Sequence, residues 1–406
     1  RVCIGQAAPR IVEDFGFDPQ QMGLVHAAFT LAYAIFEIPG GWLGDRFGAR
    51  KILTRIVVWW SIFTALTGGA WSLLSLIVIR FLFGAGEAGC FPNIARAFSV
   101  WLPSAERAKA QSLLWICTRW AGAFTPVLVV LLLQIPGMTW RGAFVLFGAI
   151  GLIWGIVFYL WYRDAPRAHP KVNAAERAIL SENAHLSAGH GDVPWSRFLG
   201  SRTTWLIWVQ YFCFSYAWYF YIFWFPTFLE MTYPGMNKIL RALIAGFPLF
   251  MGGLGSFCTA RSTTWLVRRT GSLARARRLM AGLGFAIAAV LMLVPARSSE
   301  VVVVIAALGF SAFLCDFVIP VSWGACIDIG GRFAGTFSGS MNMMGNLGGA
   351  VSPYVVGALL KRTHGDFSTA FYMSSAVFVV GALCWIFIDP VTSMDDRAPA
   401  PRPEAA

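Results

Sequence analysis

The stretch Gly41-Trp42-Leu43-Gly44-Asp45-Arg46-Phe47-Gly48-Ala49-Arg50-Lys51 separates two apolar runs, residues 20–44 and 52–70. It reads G-x3-D-R-x-G-x-R-K. Glycine permits a tight turn, and a carboxylate with a guanidinium at fixed offsets can lock neighbouring helix ends in one state. The flanking runs have the length, roughly 20 residues, that a helix needs to cross a bilayer. Two membrane helices joined by a short basic loop are therefore expected here.

The same reading extends along the chain. Further spans are expected at 73–100, 109–134, 142–162, 204–229, 239–266, 277–297, 300–325, 333–360 and 366–389, which makes eleven. Residues 1–12 read as the second half of a twelfth whose first turns are missing; a cleaved signal peptide would leave a polar start instead. The expected class is an all-α membrane protein with two six-helix bundles, residues 1–162 and 204–389. Residues 163–203 form a polar linker, in which Asn173 and Glu176 have capping-box spacing for a short helix. Residues 390–406 are Pro- and Ala-rich, the composition of a disordered tail.

Composition agrees. The chain is 57% hydrophobic and 13% charged, with mean hydropathy +0.63, about half the charge of a soluble protein. The net charge of +12 is layout: 19 of 32 Lys and Arg fall in loops on the side of 45–51 and 7 on the other. That bias puts the 45–51 side and both termini in the cytoplasm, with the bacterial inner membrane as the setting, and excludes a nucleic-acid face. The eight Cys are scattered singly, so neither a disulfide framework nor a zinc site is expected. No Walker A sequence or HExxH is present. Gly84-Ala85-Gly86-Glu87-Ala88-Gly89 fits GxGxxG but lies inside an apolar run, where glycines serve close helix packing.

The halves resemble each other. Gly122-Ala123-Phe124-Thr125-Pro126 recurs as Gly349-Ala350-Val351-Ser352-Pro353, an offset of 227 residues. Parallel repeats of this kind mark transporters with a midplane site between the halves. By this offset Arg119 is the counterpart of Asn346, so both are candidates for the central cavity.

Charges inside spans cost about 2.5–3.5 kcal/mol each at a helix centre and need a partner or a function. Arg80 and Glu87 share a face of the fourth span, with Gly84 between them leaving room for a ligand or a helix. Arg119 lies in the fifth span, beside Thr118, and Asp316 in the tenth. Arg119 is open to two readings, a substrate cation or a packing partner of Asp316 or Glu37. His26, Thr30, Tyr33 and Glu37 form a polar stripe on the second span, with Glu37 expected to tether the loop. Tyr211, Ser215 and Tyr219 share a face of the seventh.

The loop pattern and the span count resemble the major facilitator superfamily. RFLFGAGEAGCFP in the fourth span, QMGLVHAAFTLAYAIFEIPGGWLGDRFG in the second and SGSMNMMGNLGG in the eleventh are similar to its anion:cation symporter family. That family includes bacterial sugar-acid transporters, phthalate permeases, sialin and vesicular glutamate transporters. The resemblance implies carboxylate binding by Arg1 and Tyr33, proton coupling through Glu87 and Arg80, a counterpart for His26, and an amide at Asn342 or Asn346. Two positions depart from it. Phe214 stands where glutamate transporters carry Arg, and Thr118 where sugar-acid members carry Gln. Asp45, Arg46, Gly48, Arg50 and Lys51, with Gly41, match the conformational latch. A second copy survives only as Arg268-Arg269-Thr270-Gly271.

The expected function is thus a proton-coupled symporter that imports a small organic anion by alternating access, acting as a monomer without cofactor or metal. An uncoupled facilitator or exporter of the same fold is the competing reading, and an enzyme is not expected.

Overall fold

The computed structural model describes residues 3–17, 19–180, 193 and 195–394. Of the residues singled out above, Arg1 and the side chains of His26, Ala123, Phe124, Pro126 and Pro353 lie outside what it describes, as do the tail residues 395–406.

The first half is built from α1 (Cys3–Phe15), α2 (Pro19–Phe47), α3 (Ala49–Gly68), α4 (Leu73–Glu87), α5 (Cys90–Trp101), α6 (Ser104–Leu133) and α7 (Trp140–Trp161). Two short helices, α8 (Ala174–Ile179) and α9 (Trp195–Gly200), lie in the linker. The second half comprises α10 (Arg202–Phe223), α11 (Phe225–Thr232), α12 (Lys238–Thr270), α13 (Leu273–Met292), α14 (Val301–Gly330), α15 (Ala334–Arg362) and α16 (Ser368–Phe387). Within the halves α3 packs on α7 and α2 on α4, and α12 on α14 and α10 on α15. The halves meet along α2–α15 and α5–α15, and along α6 against α12 and α14.

Two expected spans are broken. The fourth divides into α4 and α5 at Ala88–Gly89, where Gly89 takes φ +82°. The seventh divides into α10 and α11 at Trp224, just before Pro226. In the linker the Asn173 side chain accepts from the Glu176 amide at 2.8 Å and starts α8.

Large apolar side chains cover the outside of the bundle, for example Ile153, Trp154, Val157, Leu160 and Trp161 on α7. In water such a continuous surface would drive association; against acyl chains it costs nothing. On length and composition alone, five stretches among the described residues qualify as membrane-crossing: 73–101, 140–161, 243–270, 301–360 and 368–387. The 301–360 stretch contains both α14 and α15.

The GxGxxG glycines pack helices. A side chain at Gly84 would strike the Phe29 carbonyl of α2, and one at Gly86 the Trp59 ring of α3. Gly84 thus makes room for a neighbouring helix.

Candidate functional site

The end of the bundle bearing the 45–51 loop is sealed. Gly48 takes φ +87°, and a Cβ there would meet the Asp164 carboxylate at 2.5 Å. Both constraints demand glycine. Asp164, just past α7, accepts from the Arg50 amide at 2.8 Å, while the Arg50 guanidinium donates to the Tyr159 carbonyl at 2.9 and 2.6 Å. Arg46 and Lys51 are exposed; the Arg46 guanidinium lies 5.1 Å over the Trp42 ring.

Asp45 faces the other half. Its carboxylate accepts from the Gly335 amide at 3.0 Å, and from the Thr336 amide and hydroxyl at 2.5 and 2.6 Å. These amides begin α15, where unpaired N–H groups and the helix dipole favour an anion. Arg96 of α5 approaches Asp45 at 3.6 Å. Gly41 allows this meeting, since a Cβ there would strike the Gly335 carbonyl.

A second joint at this end uses residues that the sequence reading passed over. Asp328, near the end of α14, is bound by Arg107 of α6 and, at 2.7 Å, by the fully buried Arg277 of α13. Arg277 also donates to the Pro390 carbonyl at 2.6 Å. No spacing pattern links residues this far apart. The available signal was a lone acid at the end of a very apolar helix. The second half is held here by Arg277 and Asp328.

Twelve residues farther along both helices, about 18 Å at helical rise, α6 and α14 are joined again. Arg119 Nε donates to Asp316 Oδ2 at 2.9 Å and Nη2 to Oδ1 at 2.7 Å. The guanidinium lies 4.0 Å over the Trp218 ring and 5.6 Å from Trp115. Between the two joints sits an aromatic plug. Phe91 stacks on Trp115 at 5.0 Å, Trp323 lies 5.9 Å from Trp115, and Trp323 Nε1 donates to the Tyr211 hydroxyl at 2.9 Å. The plug and the Arg107–Asp328 joint bind α5, α6, α10 and α14 together between mid-depth and that end.

Other sequence candidates fall around this level. Glu37 is fully buried and accepts from Asn342 of α15 at 2.7 Å and from the Gly89 amide at 3.4 Å. It therefore ties α2 to α15 and to the α4–α5 break, two turns short of the loop it was expected to tether. Asn346 donates to the Asn342 carbonyl at 3.0 Å. Tyr33 is buried beside Phe29. Arg80 is buried with its guanidinium 4.9 Å from the Phe29 ring and 4.6 Å from Phe83, and Glu87 is buried at the end of α4. Thr118 spends its hydroxyl on the Leu114 carbonyl of its own helix, 2.8 Å away. The Tyr211, Ser215 and Tyr219 face packs on Gly345 and Gly349 of α15.

A cavity of about 750 Å³ lies elsewhere, on the flank between α3, α5 and α7, lined by Trp60, Phe98, Trp101, Phe158 and Trp161. Its wall is mostly apolar, and His169, Lys171 and Glu176 of the linker line it too. The mid-depth seam carries Arg119 of α6, paired to Asp316 of α14, and the amides Asn342 and Asn346 of α15.

Comparison with known proteins agrees with this architecture. The model of the Major Facilitator Superfamily matches residues 1–353. A probable sulfoacetate transporter of Cupriavidus necator is 36% identical, over 97% of this chain and 91% of its own length. A probable galactarate/D-glucarate transporter of Escherichia coli is 29% identical, over 96% of this chain and 89% of its own. Among solved structures, the proton:xylose symporter XylE superposes with a TM-score of 0.75 at 14% identity, covering 98% of this chain and 94% of its own. That last likeness concerns the fold alone. The chain belongs to the major facilitator superfamily.

Proposed function

We propose that the chain is a proton-coupled symporter that imports a small organic anion, a carboxylate or sulfonate, by rocking its halves about the seam. As a member of its superfamily the chain is a multi-pass membrane transporter and not an enzyme. The observation that carries the anion reading is Arg119, a guanidinium fork held at mid-depth between two tryptophans. Such a fork matches the paired oxygens of a carboxylate or sulfonate. Relatives named for sulfoacetate and for galactarate/D-glucarate support the same class.

In this reading Arg1, Tyr33 and Asn346 join Arg119 around the anion, and Asn342 leaves Glu37 to do so as the halves move. Glu87 serves the proton coupling, with Arg80 setting its charge state, and His26 takes part. The sealed end is cytoplasmic in a bacterial inner membrane, so the conformation described is closed to the inside. A monomer suffices.

The test is uptake by the full-length protein in proteoliposomes under an inward proton gradient, using sulfoacetate, D-glucarate and D-glucuronate. Symport predicts accumulation above the outside concentration together with alkalinisation of the medium. Equilibration without alkalinisation would identify an uncoupled facilitator. No uptake of any of the three would reject the substrate class.

A further inference from the structure

The Arg119–Asp316 pair has a geometry that a packing contact does not need. Both bonds of the fork are made, both side chains are nearly inaccessible, and the partners belong to opposite halves. The site is cut into α12 for this purpose: a Cβ at Gly252 would overlap the Asp316 carboxylate, and one at Gly253 would come within 2.7 Å of Trp120. Ser256 of α12 donates to the Asp316 carbonyl at 3.0 Å and fixes the backbone behind it.

Among the described residues, these charged and titratable groups lie near the pair. Arg119 faces Asp316 from α6. From α10 come Tyr221, within electrostatic reach of Asp316, and Tyr211, within reach of Arg119 and Glu37. Cys315 is the neighbour on α14 itself. α12 presents Gly252 and Ser256, which do not ionise, and α13 packs on another face of α14, through Ser311, Leu314 and Val318. Asp316 and Arg119 therefore answer chiefly to one another.

We propose that Asp316 is the proton acceptor linked to anion binding, and that the anion and Asp316 compete for the Arg119 fork. This rests on the anion reading above and deepens it. In the empty carrier Asp316 carries its charge and occupies Arg119. An arriving carboxylate or sulfonate takes over the two N–H bonds, and Asp316 takes a proton from the medium to become a neutral acid. For a singly charged anion, one charge replaces another on Arg119 and one proton is bound, so the pair with its anion has no net charge before or after. A neutral site moves through the low-dielectric interior at far lower cost than a charged one. A second acidic group on the anion needs a cation beyond this pair. Release on the other side reverses the exchange: Asp316 returns its proton and recaptures Arg119.

The experiment measures proton uptake on binding of sulfoacetate or D-glucarate to the full-length protein in weakly buffered detergent solution. Affinity is read from tryptophan fluorescence, since Trp115 and Trp218 flank Arg119. For the wild type one proton is expected per anion, with affinity falling by up to about tenfold per pH unit as pH rises. Asp316→Asn should bind the anion without that proton and with a flat pH profile. Gly252→Ala, which crowds the carboxylate off the fork, should flatten the profile as well and decides the matter if Asp316→Asn does not fold. Proton uptake retained by Asp316→Asn, or a wild-type slope in Gly252→Ala, overturns the proposal. Wild-type binding without proton uptake overturns it alone, whereas a wild type that binds neither probe overturns the anion reading and this proposal with it.

Discussion

Arg119 and Asp316 join the two halves of the protein at mid-depth through a two-bond fork, 2.9 and 2.7 Å long, one helical column above the Arg107–Asp328 joint. Breaking a buried pair by removing one partner strands the other charge, at about 3–5 kcal/mol. Arg119→Ala or Asp316→Ala alone should therefore lower thermal stability by an amount of that order. The double variant should recover most of the loss, because no charge is stranded, yet should not recover transport. Thermal unfolding and uptake measured on the same three variants check this. Additive destabilisation in the double variant would mean the two side chains do not act as a pair.

The sealed end should respond to pH through Asp45, which lies past the end of its span. Burial pushes its carboxyl up from the ordinary 3.8 to about 6, against the pull of Arg96 and of the bonds from Thr336 and Gly335. Once the halves part, the carboxyl meets water and regains its ordinary value. The sealed state thus holds more protons between these values, so sealing is favoured as pH falls and weakens as pH rises through about 6. Spin labels at Arg55→Cys and Arg269→Cys should show the longer inter-half distance gaining population from pH 5 to 7.5. Asp45→Asn should remove the pH response and stay sealed, while Asp45→Ala, which strands the Gly335 and Thr336 amides, should open at either pH.

The Glu37–Asn342 bond supplies an independent check on the α2–α15 seam. Asn342→Asp sets a carboxylate at hydrogen-bond distance from Glu37, with like charges in a buried site. The seam should be forced apart, and uptake should fall by more than about tenfold, for a loss exceeding roughly 1.4 kcal/mol. Asn342→Gln, which keeps the amide, should be milder in the same uptake assay. Equal effects would show that charge is not what matters at this contact.

Much of the fold was legible because membrane physics writes it locally. Spans announce themselves by apolar length, and the 45–51 loop by glycine and charge at fixed offsets. The breaks at Gly89 and Trp224 were not legible, since an apolar run looks the same whether straight or divided. For the site, sequence could nominate Arg119, Asp316, Glu37 and Asn342 as polar groups that needed partners. It offered Asp316 or Glu37 as partners for Arg119 without choosing between them, and it did not pair Glu37 with Asn342, because the choice depends on which helices face each other across the seam. Glu37 shows the limit: its position near the loop suggested a local tether, whereas it also bonds Asn342, in the opposite half. Arg107, Arg277 and Asp328 sit at helix ends, where charge is ordinary, and nothing in their spacing marked them as a joint.

The most direct test of the central claim is the steady accumulation of sulfoacetate or D-glucarate in proteoliposomes as a function of the imposed pH gradient, with membrane potential clamped. Coupling to one proton predicts that accumulation rises about tenfold for each pH unit of gradient, and more steeply if further protons travel with the anion. Accumulation that stays at the outside concentration whatever the gradient would contradict proton-coupled anion import.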